Sequence, residues 1–120
     1  MKIIIALLFM HWVSDFALQP HWMSMRKSKE WGVLAGHALI IGSVLAFGVA
    51  AFLQLNFRDA MLFAAVNAVA HFMIDAVTSR ITSRLYAKNR IHDFFVVIGF
   101  DQFLHVALLV WTWDIIKGLA

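Results

Sequence analysis

Apolar residues fill four long stretches of the chain, and three short segments between them collect most of the charge. The first stretch runs from about Ile3 to Gln19 and stops before Pro20, whose ring disfavours helical geometry in the residue it follows. The second covers about Gly32 to Leu55 and the third about Ala60 to Arg80, with "ITSRLY" continuing it as an emerging helical end. The fourth covers about Phe94 to Ile116. A helix needs roughly 20 predominantly apolar residues to cross roughly 30 Å of hydrocarbon, and the interval from Trp31 to Phe57 holds no charged residue at all. The pattern predicts an all-α protein: a four-transmembrane-helix bundle of up-down topology, with helices at about 3–19, 32–55, 60–80 and 94–116 in one integral membrane domain spanning 1–120.

Composition agrees. Of 120 residues, 62% are hydrophobic and 14% charged, with a mean hydropathy of +0.80, which excludes an ordinary soluble domain. Lys2 before an apolar run raises the possibility of a cleaved signal peptide, but no small-residue A-x-A site follows and His11 and Asp15 interrupt the run. The segment reads as a permanent helix. Cysteine is absent, so thiolate metal sites and disulfides are excluded. The net charge of +3 does not point to nucleic acid, because the basic residues sit in short links rather than on a soluble face. Arg26, Lys27 and Lys29 in the first link and Arg80, Arg84, Lys88 and Arg90 in the third outweigh Lys2, Arg58 and Lys117 on the other side. The positive-inside rule therefore puts the first and third links in the cytoplasm and both termini outside. A multi-pass membrane protein follows, with the lipid bilayer as its partner. Trp22 and Trp31 fall at the cytoplasmic interface, Trp111 and Trp113 toward the opposite one, and Trp12 in mid-span.

Against this apolar background three stretches carry the same device: His11 with Asp15, His71 with Asp75, and Asp101 with His105. Each pair is spaced i, i+4, which sets both side chains on one helix face about a turn apart. The remaining stretch adds His37 in "VLAGHALIIG". At about 1.5 Å per residue, Asp15, His37, Asp75 and Asp101 lie on the order of 10 Å inside the cytoplasmic boundary. His11, His71 and His105 lie on the order of 15 Å inside. The written order of the pair reverses on the outward-running helix, as a shared site demands. Gln19, Asn67, Thr78 and Gln102 lie near the same faces.

An aspartate at mid-helix costs roughly 2.5 to 3.5 kcal/mol on the insertion scale, so three of them must face one another, water or a bound cation. One reading is a hydrogen-bonded network holding the helices in register. The sharper reading is a site for a divalent metal (Zn, Fe or Mn) with His11, Asp15, His37, His71, Asp75, Asp101 and His105 as candidate ligands, since neutral imidazole and carboxylate are the ligand mix of such ions. A metal-dependent hydrolase built on it would activate water at the ion, with Asp15, Asp75 and Asp101 as the candidate catalytic residues acting on a membrane-borne substrate. A third reading is a metal-ion or proton path, which in so small a bundle calls for a homo-oligomer. A fourth is a non-catalytic membrane interaction module. Haem fits less well, because an aspartate one turn from a histidine on three helices suits a small cation.

Smaller features read as support. Gly32 and Gly36 form a G-x-x-x-G that serves either a dimer face or close approach of neighbouring helices, a role shared by Ala64, Ala65 and Ala68. His21 and His92 read as interfacial, and Asp93 serves the start of the last helix. Arg80 and Arg84 would meet anionic headgroups or hold a substrate phosphate.

The sequence "HWVSDFALQPHWM", the lone helical histidine of "GHALIIG", then "AHFMIDAVTSR" and "FDQFLHVALLV" together resemble the bacterial and phage membrane family called domain of unknown function 3307. The resemblance covers essentially the whole chain and falls on His11, Asp15, Phe16, Gln19, His37, His71, Asp75, Asp101, Gln102 and His105. It implies membership and a place in the bacterial cytoplasmic (inner) membrane, and carries no activity with it. A weaker likeness, of style rather than motif, is to small inner-membrane metal-dependent hydrolases rich in His and Asp.

Overall fold

Two short links decide how the long helices run. Asn56 accepts a hydrogen bond from the Asp59 amide at 2.9 Å, the side-chain capping that satisfies a free donor in a first helical turn, while Asp59 sets a negative charge near the positive end of the helix dipole. Asn89 closes the other link in the left-handed region, with φ 56, a conformation asparagine tolerates better than most residues. In the computed structural model, which describes residues 1–119, these links join α3 (Trp31–Ala51), α4 (Phe57–Ala87) and α5 (Ile91–Leu119) as antiparallel neighbours. Before them come α1 (Lys2–Trp12), a π-helical segment (Val13–Ala17) and the short α2 (His21–Arg26). The described residues contain no strand.

The all-helical expectation holds, but the division into four helices is corrected to five α-helices and a π segment. Three of them, Trp31–Ala51, Phe57–Ala87 and Ile91–Gly118, are long and apolar enough to cross a membrane. The predicted first helix changes character after Trp12, and its α and π parts together rise only roughly 24 Å at 1.5 Å per residue. The second helix stops at Ala51, where the chain turns through Gln54 at φ 55. The third runs on to Ala87 and the fourth starts at Ile91, because "TSRITSRLYA" contains neither glycine nor proline to end a helix. At roughly 46 Å, α4 is far longer than a bilayer's hydrocarbon, so one end of the α4–α5 hairpin is a polar extension.

Burial is inverted relative to a soluble protein. The outward faces carry Ile5, Phe9, Leu39, Phe47, Met73, Phe103 and Trp111, all exposed, while His11, Asp15, His37, His71, Asp75, Asp101 and His105 are buried. Such a surface suits lipid as solvent. Apolar packing fills the other half of the interior, with Leu7, Ile41, Leu45, Phe63, Leu109 and Trp113 at its centre. Trp113 was expected at an interface; it lies instead edge-on to Phe63, ring centroids 5.8 Å apart, and only Trp111 of that pair faces outward. Trp12 also faces outward, stacked on Phe9.

Close helix approach comes from glycines other than the expected ones. A Cβ at Gly32 or Gly36 would meet nothing within 4 Å, whereas one at Gly42 would lie 3.1 Å from Ala68 Cβ. Gly42 therefore sets the α3–α4 spacing one and a half turns from His37. Gly42→Val should cost about 1–3 kcal/mol by overpacking, read as a lowered unfolding midpoint in detergent, while Gly36→Ala should leave the midpoint unchanged.

A buried His/Asp centre

The π turn aims the first aspartate. The amide of Leu18 bonds the carbonyl of Val13 at 2.8 Å, an i+5 bond that widens the turn, a feature often found at functional positions. In a regular α-helix His11 and Asp15 would face one another. Here His11 Nε2 stands 3.6 Å from Asp15 Oδ2 and instead donates to Gln102 Oε1 at 2.9 Å. Asp15 is carried round toward α3, where its Oδ1 lies 3.0 Å from His37 Nε2.

From there the atoms converge. His37 Nε2 and His71 Nε2 are 3.0 Å apart, so at most one of them carries a proton and at least one lone pair points into the group. His71 Nε2 lies 3.5 Å from Asp15 Oδ1 and 3.4 Å from Asp75 Oδ2. His37 Nε2 lies 3.5 Å from that same Asp75 oxygen. A tetrahedral ion with bonds of about 2.0–2.1 Å has ligand-to-ligand edges of about 3.3 Å. Five edges of the Asp15, His37, His71, Asp75 group thus fall at 3.0–3.5 Å, and all four ligand atoms lie within 4.8 Å of one another.

A second group shares a member with the first. Asp75, Asp101 and His105 can also converge on one ion. His105 Nε2 is 3.1 Å from Asp75 Oδ1 and 3.3 Å from Asp101 Oδ2, and its ring stacks on His71 at 3.9 Å. Of the seven residues expected to be ligands, six fall in these two groups. His11 stands beside them, held by Gln102. The Gln102 amide also donates to Asp15 Oδ2 at 3.0 Å and to Asp101 Oδ2 at 3.1 Å, so one side chain orients three of the seven. Thr78 donates its hydroxyl to Asp101 Oδ1. Asn67 is tied to Thr112 at 2.9 Å, a link between α4 and α5, and lines a small cavity together with His71 and His105.

Lys27 is a residue at the centre that sequence reasoning did not single out. Its Nζ lies 2.8 Å from Asp75 Oδ2, the oxygen that faces His37 and His71, so an ammonium already partners one carboxylate of the centre. Its position among three basic residues of one link gave no sign which would fold inward. Arg26 turns outward to Glu30 at 2.7 Å, and that guanidinium holds the Glu30 carboxyl below its ordinary value. Arg80 lies over the Trp31 ring at 4.1 Å, while Lys27 reaches Asp75 and Lys29 lines the cavity beside it.

A cavity of about 660 Å³ leads from the centre to the polar end of the bundle; Asp15, Asp75, Asp101 and Gln102 form its floor. Its walls include Lys27, Lys29, Ser24, Thr82, Tyr86 and Phe94. His21 also lines it, whereas His92 does not. On the opposite side of the histidines lies a cavity of about 10 Å³, bounded by His11, Asn67, Ile41, Leu45 and Leu109, room for about one water.

The family model described as protein of unknown function (DUF3307) matches residues 3–119, and the chain belongs to that family. No curated protein and no solved structure matches.

Removing the ammonium that competes for Asp75 Oδ2 tests this electrostatic arrangement. Lys27→Met should tighten binding of zinc or manganese roughly tenfold, about 1.4 kcal/mol, in titration calorimetry. An unchanged affinity would mean that Lys27 does not compete for that oxygen.

Proposed function

Membership of that family brings no activity with it, and from the geometry we propose a multi-pass membrane protein whose Asp15, His37, His71 and Asp75 bind a divalent metal, with Zn, Fe and Mn as candidates, and which works as a metal-dependent hydrolase on a membrane-borne substrate. The observation that carries the reading is the set of five ligand-to-ligand distances of 3.0–3.5 Å among these four side chains. Two imidazole Nε2 atoms 3.0 Å apart between two carboxylates can share one proton in an N–H···N bond, and the same arrangement offers both lone pairs to an ion.

Topology in the bilayer belongs to the same proposal. The segment from α1 through the π turn makes a fourth pass, supported by its outward Ile5, Phe9 and Trp12 and its inward Leu7, Met10 and Asp15. The charge of the links orients the cavity mouth to the cytoplasmic side of a bacterial inner membrane and both termini outside. Lys27 and Lys29 in the cavity wall favour an anionic headgroup, and the volume is within the range of small-molecule sites.

A bound divalent ion would supply Lewis acidity and lower the pKa of a coordinated water. The chain supplies the rest. Asp15 and Asp75 hold the ion, Gln102 fixes the orientation of Asp15, and Asp101 faces the cavity where a substrate's scissile bond would sit. Hydrolysis over transport is supported by the apolar cluster beyond the histidines: a conducted ion would meet Ile41, Leu45, Phe63 and Leu109, all buried.

Metal analysis of protein purified without added metal tests the proposal. At least one equivalent of a divalent ion is expected, lost in His71→Ala and kept in His21→Ala. No stoichiometric ion, together with no binding on titration, would leave the cluster as a hydrogen-bonded network. For activity, Asp101→Asn should slow metal-dependent release of headgroup from anionic lipid vesicles by ~100-fold or more, the scale for loss of one acid–base or orienting group.

A further inference from the structure

Asp75 presents its two oxygens to two different sets of partners. Oδ2 faces His37 at 3.5 Å and His71 at 3.4 Å, whereas Oδ1 faces His105 at 3.1 Å. A carboxylate divided in this way is a bridging ligand. Resting on the four-ligand reading above, we infer that the centre is dinuclear: a second divalent ion is held by Asp75 Oδ1, Asp101 Oδ2 and His105 Nε2, with Asp75 joining the two ions.

The donor set fits. His105 Nε2 lies 3.1 Å from Asp75 Oδ1 and 3.3 Å from Asp101 Oδ2, again the edge lengths of a small coordination polyhedron. Two-metal sites hold their ions roughly 3.5–4 Å apart, a separation that one carboxylate can span. Thr78 and Gln102 donate to Asp101 and so fix the direction of its oxygens, as outer-sphere partners of metal-binding carboxylates do.

The two positions differ in a way that moves the water-activating role given above to the centre's ion from the first position to the second. Four protein ligands surround the first, the closed arrangement typical of ions that hold structure, whereas three surround the second, the arrangement of catalytic ions with a position left for water or substrate. Asp75 and Asp101 form part of the cavity floor, so the open position lies on the side from which a substrate arrives. The first ion braces the bridge, and the second meets the substrate.

Charge sets a condition on the second ion. Asp15, Asp75 and Asp101 carry three negative charges against the ammonium of Lys27, so beside neutral imidazoles one divalent ion would balance the excess and a second would call for an anion. An anionic substrate or a hydroxide from water would supply it, in a cavity walled by Lys27 and Lys29.

The test is manganese loading of the full chain in detergent, read by metal analysis and electron paramagnetic resonance. His105→Phe keeps a ring to stack on His71 while removing the Nε2 ligand. The wild type should hold two ions per chain and give the exchange-coupled spectrum of a Mn(II) pair, with hyperfine spacing half that of an isolated ion. His105→Phe should hold one ion and give the isolated six-line spectrum. Asp101→Asn serves the same purpose should His105→Phe fail to fold. One ion per chain in the wild type, with an isolated spectrum that His105→Phe leaves unchanged, would overturn the second site and leave the first intact. No bound ion in any of the proteins would overturn both.

Discussion

Everything in this molecule is arranged around the cost of keeping three carboxylates out of water. Asp15, Asp75 and Asp101 are buried in a bundle whose outer surface is apolar, and an unpaired charge in such surroundings is expensive enough that a protein retains it only with partners. The partners present are four imidazoles, one amide, one hydroxyl and one ammonium. Lys27 supplies an ammonium bonded to one of the three, Asp75. The remaining negative charge is what a divalent ion would neutralise. Burial, helix spacing and cavity position follow from that need.

Local geometry delivers the side chains to one point. The i, i+4 pairs on α4 and α5 need only a regular helix, which brings His71 above Asp75 and His105 above Asp101. The first pair needs more, because α1 approaches the centre from another side. Across its π turn Asp15 keeps one oxygen 3.6 Å from His11 and presents the other to His37, while His11 bonds Gln102. Gly42 against Ala68 lets α3 approach α4 closely enough for His37 to reach His71. A glycine, a widened turn and an amide thus do the positioning, while histidines and aspartates bear the chemistry.

Much of this was legible in the residues. The three long helices were readable as apolar stretches, and the repeated His/Asp spacing marked five of the six residues in the two convergent groups, because helical periodicity is a local property readable in one dimension. What escaped depended on contacts between distant parts of the chain. The π turn has no sequence signature beyond the oddity of an ionisable pair in an apolar run. Lys27 differs from Arg26 and Lys29 only in where the link folds. Trp113 looked like an interfacial anchor because its depth could be counted but its direction could not, and Phe63, its partner, lies on another helix. Gly32 and Gly36 carried the familiar motif, whereas the close approach fell on Gly42, which no motif marks.

The central claim is that two imidazoles and two carboxylates of different helices share one ion. X-ray absorption at the metal edge of the loaded protein measures that sharing directly. Oxygen and nitrogen neighbours at about 2.0–2.1 Å, with the outer-shell scattering of two or more imidazole rings that diminishes in His37→Ala, are the predicted result. A shell of oxygen alone, without imidazole scattering and unaltered in His37→Ala, would contradict it.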